Sequence, residues 1–312
     1  MKAVRFHQQG DPSVLVLDDI EVPAPASGQV RLRVTAAGFN QADTGMRAGT
    51  LPIPVSLPHI PGYDVAGVVD ALGDGVEGLA IGDTVIGFLP MDTDGAAAEY
   101  AVAPADVLVP APTSVSLVEA AAIPSVGLTA WQALFEQAHL EEGQRILIVG
   151  AGGTVGGYAV GLAADAGATV LATASPRSAA AVEAAGAAQV IDHTSGSVQE
   201  AVGEEVDVLL NLAPIDPAEF VSLVSLVRDG GVVVSTTAWM PAPADEERGV
   251  TSSVVFVRSD REQLTHLVEL VDAGGLAVPE VRTVSLSGVR AVHEESGAGT
   301  LRGKVVVVPT EA

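Results

Sequence analysis

The stretch Arg145-Ile-Leu-Ile-Val-Gly-Ala-Gly-Gly-Thr-Val-Gly-Gly157 limits what this chain can fold into more than any other segment. Its four consecutive apolar residues, Ile146 to Val149, read as a short buried strand, and Gly143 supplies a turn ahead of them. A glycine-rich bend follows at once. From Val155 onward, Tyr158, Ala159, Leu162, Ala163 and Ala166 fall at helical spacing, Gly167 is the expected stop, and residues 169–174 read as a second strand. Strand, glycine turn, helix and strand form a βαβ unit. In such a unit glycines let the backbone approach a pyrophosphate, and the helix start offers unpaired N–H groups and a positive dipole end. The implied ligand is a dinucleotide, cradled by Gly150, Gly152, Gly153 and the first helical residues Thr154 and Val155.

The spacing departs from GxGxxG, because Val155 stands where the third glycine belongs; the matches are Ala151-x-Gly153-x-x-Gly156 or GxxGxxG from Gly150. In a chain with 34 glycines the cluster alone says little, and its position between a strand and an amphipathic helix carries the reading. The end of the second strand selects the cofactor. NAD-binding units carry an acidic residue there for the ribose 2′-OH, whereas this chain has Ala174-Ser-Pro-Arg-Ser178. Ser175 and Arg177 face that position with no carboxylate to repel a 2′-phosphate. Arg177 is also the only Lys or Arg between Arg145 and Arg228 in a chain of formal charge −24, so NADPH is predicted over NADH.

The 312 residues suffice for two domains, and 48% hydrophobic with 17% charged residues is a globular composition. No apolar run reaches about 18 residues, and Met1 to Phe6 reads as an opening strand rather than a signal peptide, so a cytoplasmic protein with no membrane partner is expected. The absence of cysteine excludes disulfides, thiolate metal sites and a Cys nucleophile. An excess of 39 Asp and Glu over 15 Lys and Arg argues against nucleic acid as a partner.

In chain order, residues 1 to about 120 read as short strands at 3–6, 15–20, 29–37, 65–71, 83–88, 98–102 and 107–109, which predicts an all-β barrel. The Pro-rich segment 51–58 reads as a constrained loop. Helical stretches begin at Val118 and Gly127. Strands at 146–149, 169–174, 189–191, 206–210, 232–235 and 254–257, alternating with helices such as 179–185 and 217–227, predict a six-stranded, doubly wound parallel sheet. The tail, with a helix at 261–274 and strands at 280–285 and 304–308, returns to the first domain. The predicted fold class is α/β, with one domain from residues 1–120 and 259–312 and a Rossmann domain at 121–258.

Six segments in this order carry a family resemblance: Gly38-Phe-Asn-Gln-Ala-Asp43, His59-Ile-Pro-Gly-Tyr-Asp-Val-Ala-Gly67, Ala98-Glu-Tyr-Ala101, Gly127-Leu-Thr-Ala-Trp131, the glycine turn, and Arg302-Gly-Lys-Val305. Together they make the chain similar, nearly end to end, to the zinc-free quinone oxidoreductase branch of the medium-chain dehydrogenase/reductase superfamily. The resemblance implies a GroES-like β-barrel catalytic domain, a Rossmann NADPH-binding domain, a cofactor in the cleft, and a homodimer. Zinc-dependent relatives use a first-loop cysteine, a Gly-His-Glu segment and a further His or Cys. Here Asn40-Gln-Ala-Asp43 and Gly62-Tyr-Asp64 stand in those places, and His59 reads as structural, so no metal is expected.

A quinone or α,β-unsaturated carbonyl suits such a site, since hydride leaves charge delocalised onto an oxygen that one or two hydrogen bonds stabilise. By resemblance, Asn40 lies near the nicotinamide as the first candidate donor, against the reading of a turn-stabilising asparagine. Thr129 is expected to touch the nicotinamide or its ribose, against a helix cap. Many relatives carry Asp-Thr-Tyr after the first loop; this chain has Asp43-Thr-Gly45, which removes a phenol and predicts a roomier pocket. Tyr63 is the remaining hydroxyl, or a core aromatic. His193 is placed near the adenine or 2′-phosphate, or else as an exposed loop histidine; Asn211 and Ala213 lie at a strand's carboxyl end. Phe256 and Val257 offer backbone to the carboxamide, and Lys304 reaches toward the cofactor. The leading function is NADPH-dependent reduction of quinones or enones. Its rivals are an enoyl or ketone reductase of a biosynthetic pathway and a low-turnover NADPH-binding sensor.

Overall fold

The computed structural model describes residues 1–237, 240 and 242–309, so the last three residues of the predicted tail segment lie outside the described set. The chain forms two units, one from Met1–Ser125, Ser259–Asp272 and Val278–Ala312, the other from Val126–Arg258 and Ala273–Ala277.

In the first unit, β1 (Lys2–Phe6) and β2 (Leu15–Asp19) form an antiparallel hairpin running from Lys2 opposite Asp19 to Phe6 opposite Leu15. The long strand β3 (Gln29–Gly38) buries Val30, Leu32, Val34 and Ala36, the period of two that a strand with one core-facing side requires. Helix α1 (Gln41–Ala48) follows directly and stops at Gly49, whose φ of +74° is a left-handed C-cap. The unit continues through β4 (Asp64–Leu72), β5 (Thr84–Phe88), β6 (Tyr100–Pro104), β7 (Leu108–Pro110) and the short helix α2 (Leu117–Ala120). On one side β3 pairs with β4. On the other it pairs with β6 along Gln29–Arg33 and with a C-terminal strand at Ala37 and Gly38. Phe6, Leu15, Leu32, Val65, Val85, Leu89 and Leu108 fill the interior. Each such side chain contributes about 1.5–3 kcal/mol on burial.

Helix α3 (Pro124–Trp131) precedes the second unit's alternation of β8 (Arg145–Val149), α4 (Thr154–Asp165), β9 (Thr169–Ala174), α5 (Ala179–Ala184), β10 (Gln189–Asp192), α6 (Val198–Val202), β11 (Val206–Asn211), α7 (Pro217–Leu223), β12 (Val227–Ser235) and β13 (Thr251–Val254). All pairings are parallel, in the order β10-β9-β8-β11-β12-β13, the doubly wound arrangement expected. The chain then returns to the first unit with α8 (Arg261–Asp272), β14 (Val281–Ser285), α9 (Val289–Gly297) and β15 (Lys304–Val308), the strand that reaches β3.

Three expectations are corrected. The last strand of the parallel sheet is Thr251–Val254, not 254–257: its polar Thr251, Ser252 and Ser253 sit at the sheet's edge, so the apolar run that follows marks the strand's exit. Strand β12 starts five residues earlier than the predicted 232, across Gly230 and Gly231. Helices α1 and α9 fall in segments read without helix. Helix α9 buries Val289, Val292, His293 and Ser296, a helical stripe hidden because two of its members are polar.

Candidate functional site

The turn after β8 is shaped by three of its glycines. Gly150 adopts φ +84°, and a Cβ there would sit 2.8 Å from the Cβ of Ala213. A Cβ on Gly152 would collide with Ser178 Oγ, and one on Gly156 with the backbone of Ala151. Gly153 is held less tightly and serves as the N-cap of α4, with no side chain capping the helix. Neither sequence spacing singles out the set Gly150, Gly152 and Gly156, because the neighbours that exclude a side chain at Gly150 and Gly152 come from β11's exit and the turn after β9. The N–H of Gly150 donates to Thr173 Oγ1 at 2.9 Å, and Ala151 N–H to Thr173 O at 3.0 Å, which ties the turn to β9. Thr154 and Val155 open α4, where N–H groups lack intrahelical acceptors.

Beyond β9, Ser175 to Ser178 form a tight turn. The N–H of Ser178 donates to Ser175 O at 3.0 Å, and the two hydroxyls lie 3.3 Å apart. Arg177 projects from this turn exposed, with no ion-pair partner among the described residues. His193 is an exposed residue after β10. Asn211 is buried at the end of β11, and its Oδ1 accepts the N–H of Ala213 at 3.2 Å; it holds Ala213 beside Gly150 rather than facing outward. Phe256 is 71% exposed and Val257 half-buried, both beyond the strand's end. Thr129 lies in the interior of α3, half-buried, which excludes the helix-cap reading.

In the first unit, three strand ends bring together residues from three of the resembling segments. Gly38 of β3 is paired with Asp64 of β4 and with Val306 of β15, and this register sets Asn40, Asp64 and Lys304 side by side. Lys304 Nζ donates to Asn40 Oδ1 at 2.6 Å and to Asp64 Oδ2 at 2.9 Å, while Asn40 Nδ2 donates to Asp64 Oδ2 at 2.9 Å. Ser125 completes the cluster with its N–H on Asp64 Oδ1 at 2.7 Å and its hydroxyl on Oδ2 at 2.8 Å. Asp64, at 0% exposure, thus has its charge met by an ammonium and three further donors, as a buried carboxylate requires. Gly38 is obligatory here, since a side chain would collide with Ala121 O and crowd Asp64.

Below this cluster, Asp43 Oδ2 accepts the N–H of Asn40 at 2.8 Å and Oδ1 that of Gly62 at 2.7 Å. Burial outweighs these bonds and pushes the Asp43 carboxyl up to about 7. Asp43, Asp64 and Ser125 carried no individual role in the sequence reading. The first two stand inside segments whose order was diagnostic, but partnership across β3, β4 and β15 is a property of register.

Three expectations fail in this unit. Tyr63 is 1% exposed with its hydroxyl 2.8 Å from His59 Nε2, so it is the core aromatic and not a hydroxyl open to substrate. Burial raises its phenol far above the ordinary value and lowers His59. Lys304, at 3% exposure, turns inward to Asn40 and Asp64 instead of outward to a cofactor. Gly45 opens no space beside its own backbone: an added Cβ would lie 2.7 Å from Leu51 Cγ, so Leu51 is packed against it. His59 packs between Phe6 and Tyr63 as a structural residue.

Among the described residues no three His, Asp or Glu converge as a metal-binding set, and no helix is long and apolar enough to cross a membrane. A β-barrel unit and a doubly wound unit with a glycine turn after its first strand define a dehydrogenase/reductase architecture. Residues 26–113 match the family model described as Alcohol dehydrogenase GroES-like domain, and residues 185–307 that described as Zinc-binding dehydrogenase. A chloroplastic quinone oxidoreductase of Triphysaria versicolor is 32% identical, covering 99% of this chain and 98% of its own length. The solved structure of the quinone oxidoreductase from Coxiella burnetii superposes with a TM-score of 0.90 at 31% identity over 99% of both chains. A structure described as an NAD-dependent alcohol dehydrogenase has the same TM-score at 29% identity, over 99% of this chain and 100% of its own. The chain belongs to the quinone oxidoreductase branch of the medium-chain dehydrogenase/reductase superfamily and is an oxidoreductase of that type.

Proposed function

We propose that this oxidoreductase uses NADPH to reduce a quinone or an α,β-unsaturated carbonyl without a metal ion. The observation that carries the reading is the turn after β9. Arg177 is exposed and unpaired among the described residues, flanked by two serine hydroxyls, with no acidic residue from Ala174 to Val182. A guanidinium in that setting fits a 2′-phosphate, and His193, which follows the strand paired with β9, adds charge when protonated. The glycine turn suits a pyrophosphate, because its backbone lies bare where side chains would collide. Bound NADPH supplies a hydride, two electrons with one proton, to the electrophilic carbon; water supplies the second proton to the oxygen. Asn40 offers its amide N–H as the donor that stabilises developing charge on that oxygen. The donor set disfavours zinc: the chain has no cysteine, and Asp64 is already occupied by an ammonium.

A homodimer is part of this reading. Strand β13 ends the sheet with one edge unpaired among the described residues, and exposed Phe256 follows it.

The test is NADPH oxidation with 1,4-benzoquinone, 9,10-phenanthrenequinone and a 2-alkenal, together with NADPH and NADH affinities of wild type and Arg177→Ala. The variant is expected to lose about tenfold, about 1.4 kcal/mol, in NADPH affinity and nothing in NADH affinity. Binding of NADPH without its consumption by any acceptor would sink the reductase assignment. Equal affinities in both proteins would sink the role of Arg177.

A further inference from the structure

We propose that Lys304 is a positioning residue for Asn40: its buried ammonium fixes which way the Asn40 amide faces and sharpens the remaining Nδ2–H as a donor. An ammonium has three donors and no acceptor, so the Asn40 atom at 2.6 Å must be the carbonyl oxygen. That contact decides the amide's orientation chemically. With Oδ1 held by Lys304, Nδ2 faces Asp64 Oδ2 at 2.9 Å through one of its two hydrogens. The other hydrogen has no acceptor among the described residues. Asn40 is only half-buried, whereas Lys304 and Asp64 are sealed from solvent. The network therefore has a dry interior at Lys304 and Asp64 and one member, Asn40, that reaches partial solvent exposure.

The ammonium and the carboxylate act on the Asn40 amide with opposite signs, and the ammonium is the one bonded to its carbonyl oxygen. Withdrawal of carbonyl electron density toward Lys304 makes the amide N–H groups more acidic, and the low-dielectric surroundings strengthen the effect. Asp64 keeps the ammonium from standing as a lone buried charge, and Ser125 satisfies the carboxylate lone pairs that Lys304 and Asn40 leave. The Asn40 backbone is pinned separately, through its N–H on Asp43. Main chain and side chain are thus held by different carboxylates.

The kinetic arm of the test rests on the reductase reading, and the spectroscopic arm does not. The chain contains two asparagines, Asn40 and Asn211, so selective 15N-asparagine labelling yields two side-chain amide pairs, assigned by loss of one in Asn40→Ala. Lys304→Met leaves a lone buried carboxylate and risks misfolding. Lys304→Met combined with Asp64→Asn removes both charges and keeps the volume, and the third amide pair that Asp64→Asn introduces is told apart because it persists when Asn40→Ala is added. In whichever variants fold, the Asn40 pair is expected to move toward the position of a water-exposed amide while Asn211 stays. The turnover number for benzoquinone is expected to fall at least about tenfold, with NADPH affinity within about twofold of wild type. Adding Asn40→Ala is expected to bring no further loss, since the effect runs through that amide. An unmoved Asn40 pair overturns the proposal, as does an unchanged turnover number or a loss that multiplies with that of Asn40→Ala. If wild type reduces no acceptor, the reductase reading fails by itself and the amide signals alone decide the role of Lys304.

Discussion

His293 shows how much a single buried residue alters the chain's response to acid. It is fully buried, neither ring nitrogen has a partner among the described residues, and its ring meets Phe39 edge-on at 5.0 Å. Burial and the nearby Arg47 lower its pKa from 6.5 to about 3. The folded state therefore binds fewer protons than the unfolded state between those values, and the contribution of His293 to stability, complete above pH 6.5, is lost as pH falls toward 3. Asp43 has the opposite sign: raised from 3.8 to about 7, its contribution is complete below 3.8 and lost as pH rises through 7. The two compensate in wild type, so the effect is visible only as a difference. His293→Leu is expected to match or exceed wild type in Tm at pH 7, because an unpaired polar ring is removed. Relative to wild type it should gain on the order of 2 kcal/mol on acidification from pH 6.5 to 5. Parallel melting curves across that range check this; a constant difference refutes it. None of it was legible from the string Val-Arg-Ala-Val-His-Glu-Glu, where His293 stands among charged residues and reads as surface.

At the scale of an element, α4 carries two adjacent glycines with opposite requirements. Gly156 lies against the turn, where a methyl would collide with the backbone of Ala151, whereas a methyl on Gly157 meets nothing within 4 Å. Gly157→Ala is expected to stabilise by about 0.5–1 kcal/mol through reduced unfolded-state freedom and better helix propensity. Gly156→Ala is expected to destabilise by about 1–3 kcal/mol through overpacking, and to weaken binding of the nicotinamide cofactor by displacing the helix start. Thermal unfolding of both variants settles the point, and shifts of equal sign would refute it. The βαβ unit was legible here because its strand, turn and helix are local patterns of periods two and 3.6. The need for glycine at 150 and 152 was not, since the neighbours Ala213 and Ser178 come from 63 and 26 residues beyond Gly150 and Gly152.

For the whole molecule, a formal charge of −24 opposes self-association, so a dimer must rest on backbone pairing and apolar contact strong enough to overcome it. In the proposed dimer, edge strand β13 and Phe256 supply both. Light scattering behind size exclusion is expected to give twice the chain mass for wild type and the chain mass for Phe256→Glu, with the wild-type dimer tightening as salt screens the repulsion. A wild-type monomer at all salt concentrations would remove the dimer from the proposed function.

The sequence by itself determined the two fold classes, the order of the parallel strands' elements and the place of the glycine turn, because these follow from short-range periodicity and from motifs read in order. It brought Asn40 and Lys304 forward, but as separate residues. Tertiary structure alone decided that Lys304 faces inward to Asn40 and Asp64, that Tyr63 is sealed against His59, and that Leu51 fills the space beside Gly45. The physical reason is register: pairing of β3 with β4 and β15 places residues 40, 64 and 304 together, and no local pattern encodes which of several polar side chains a buried charge will find once strands distant in sequence are paired.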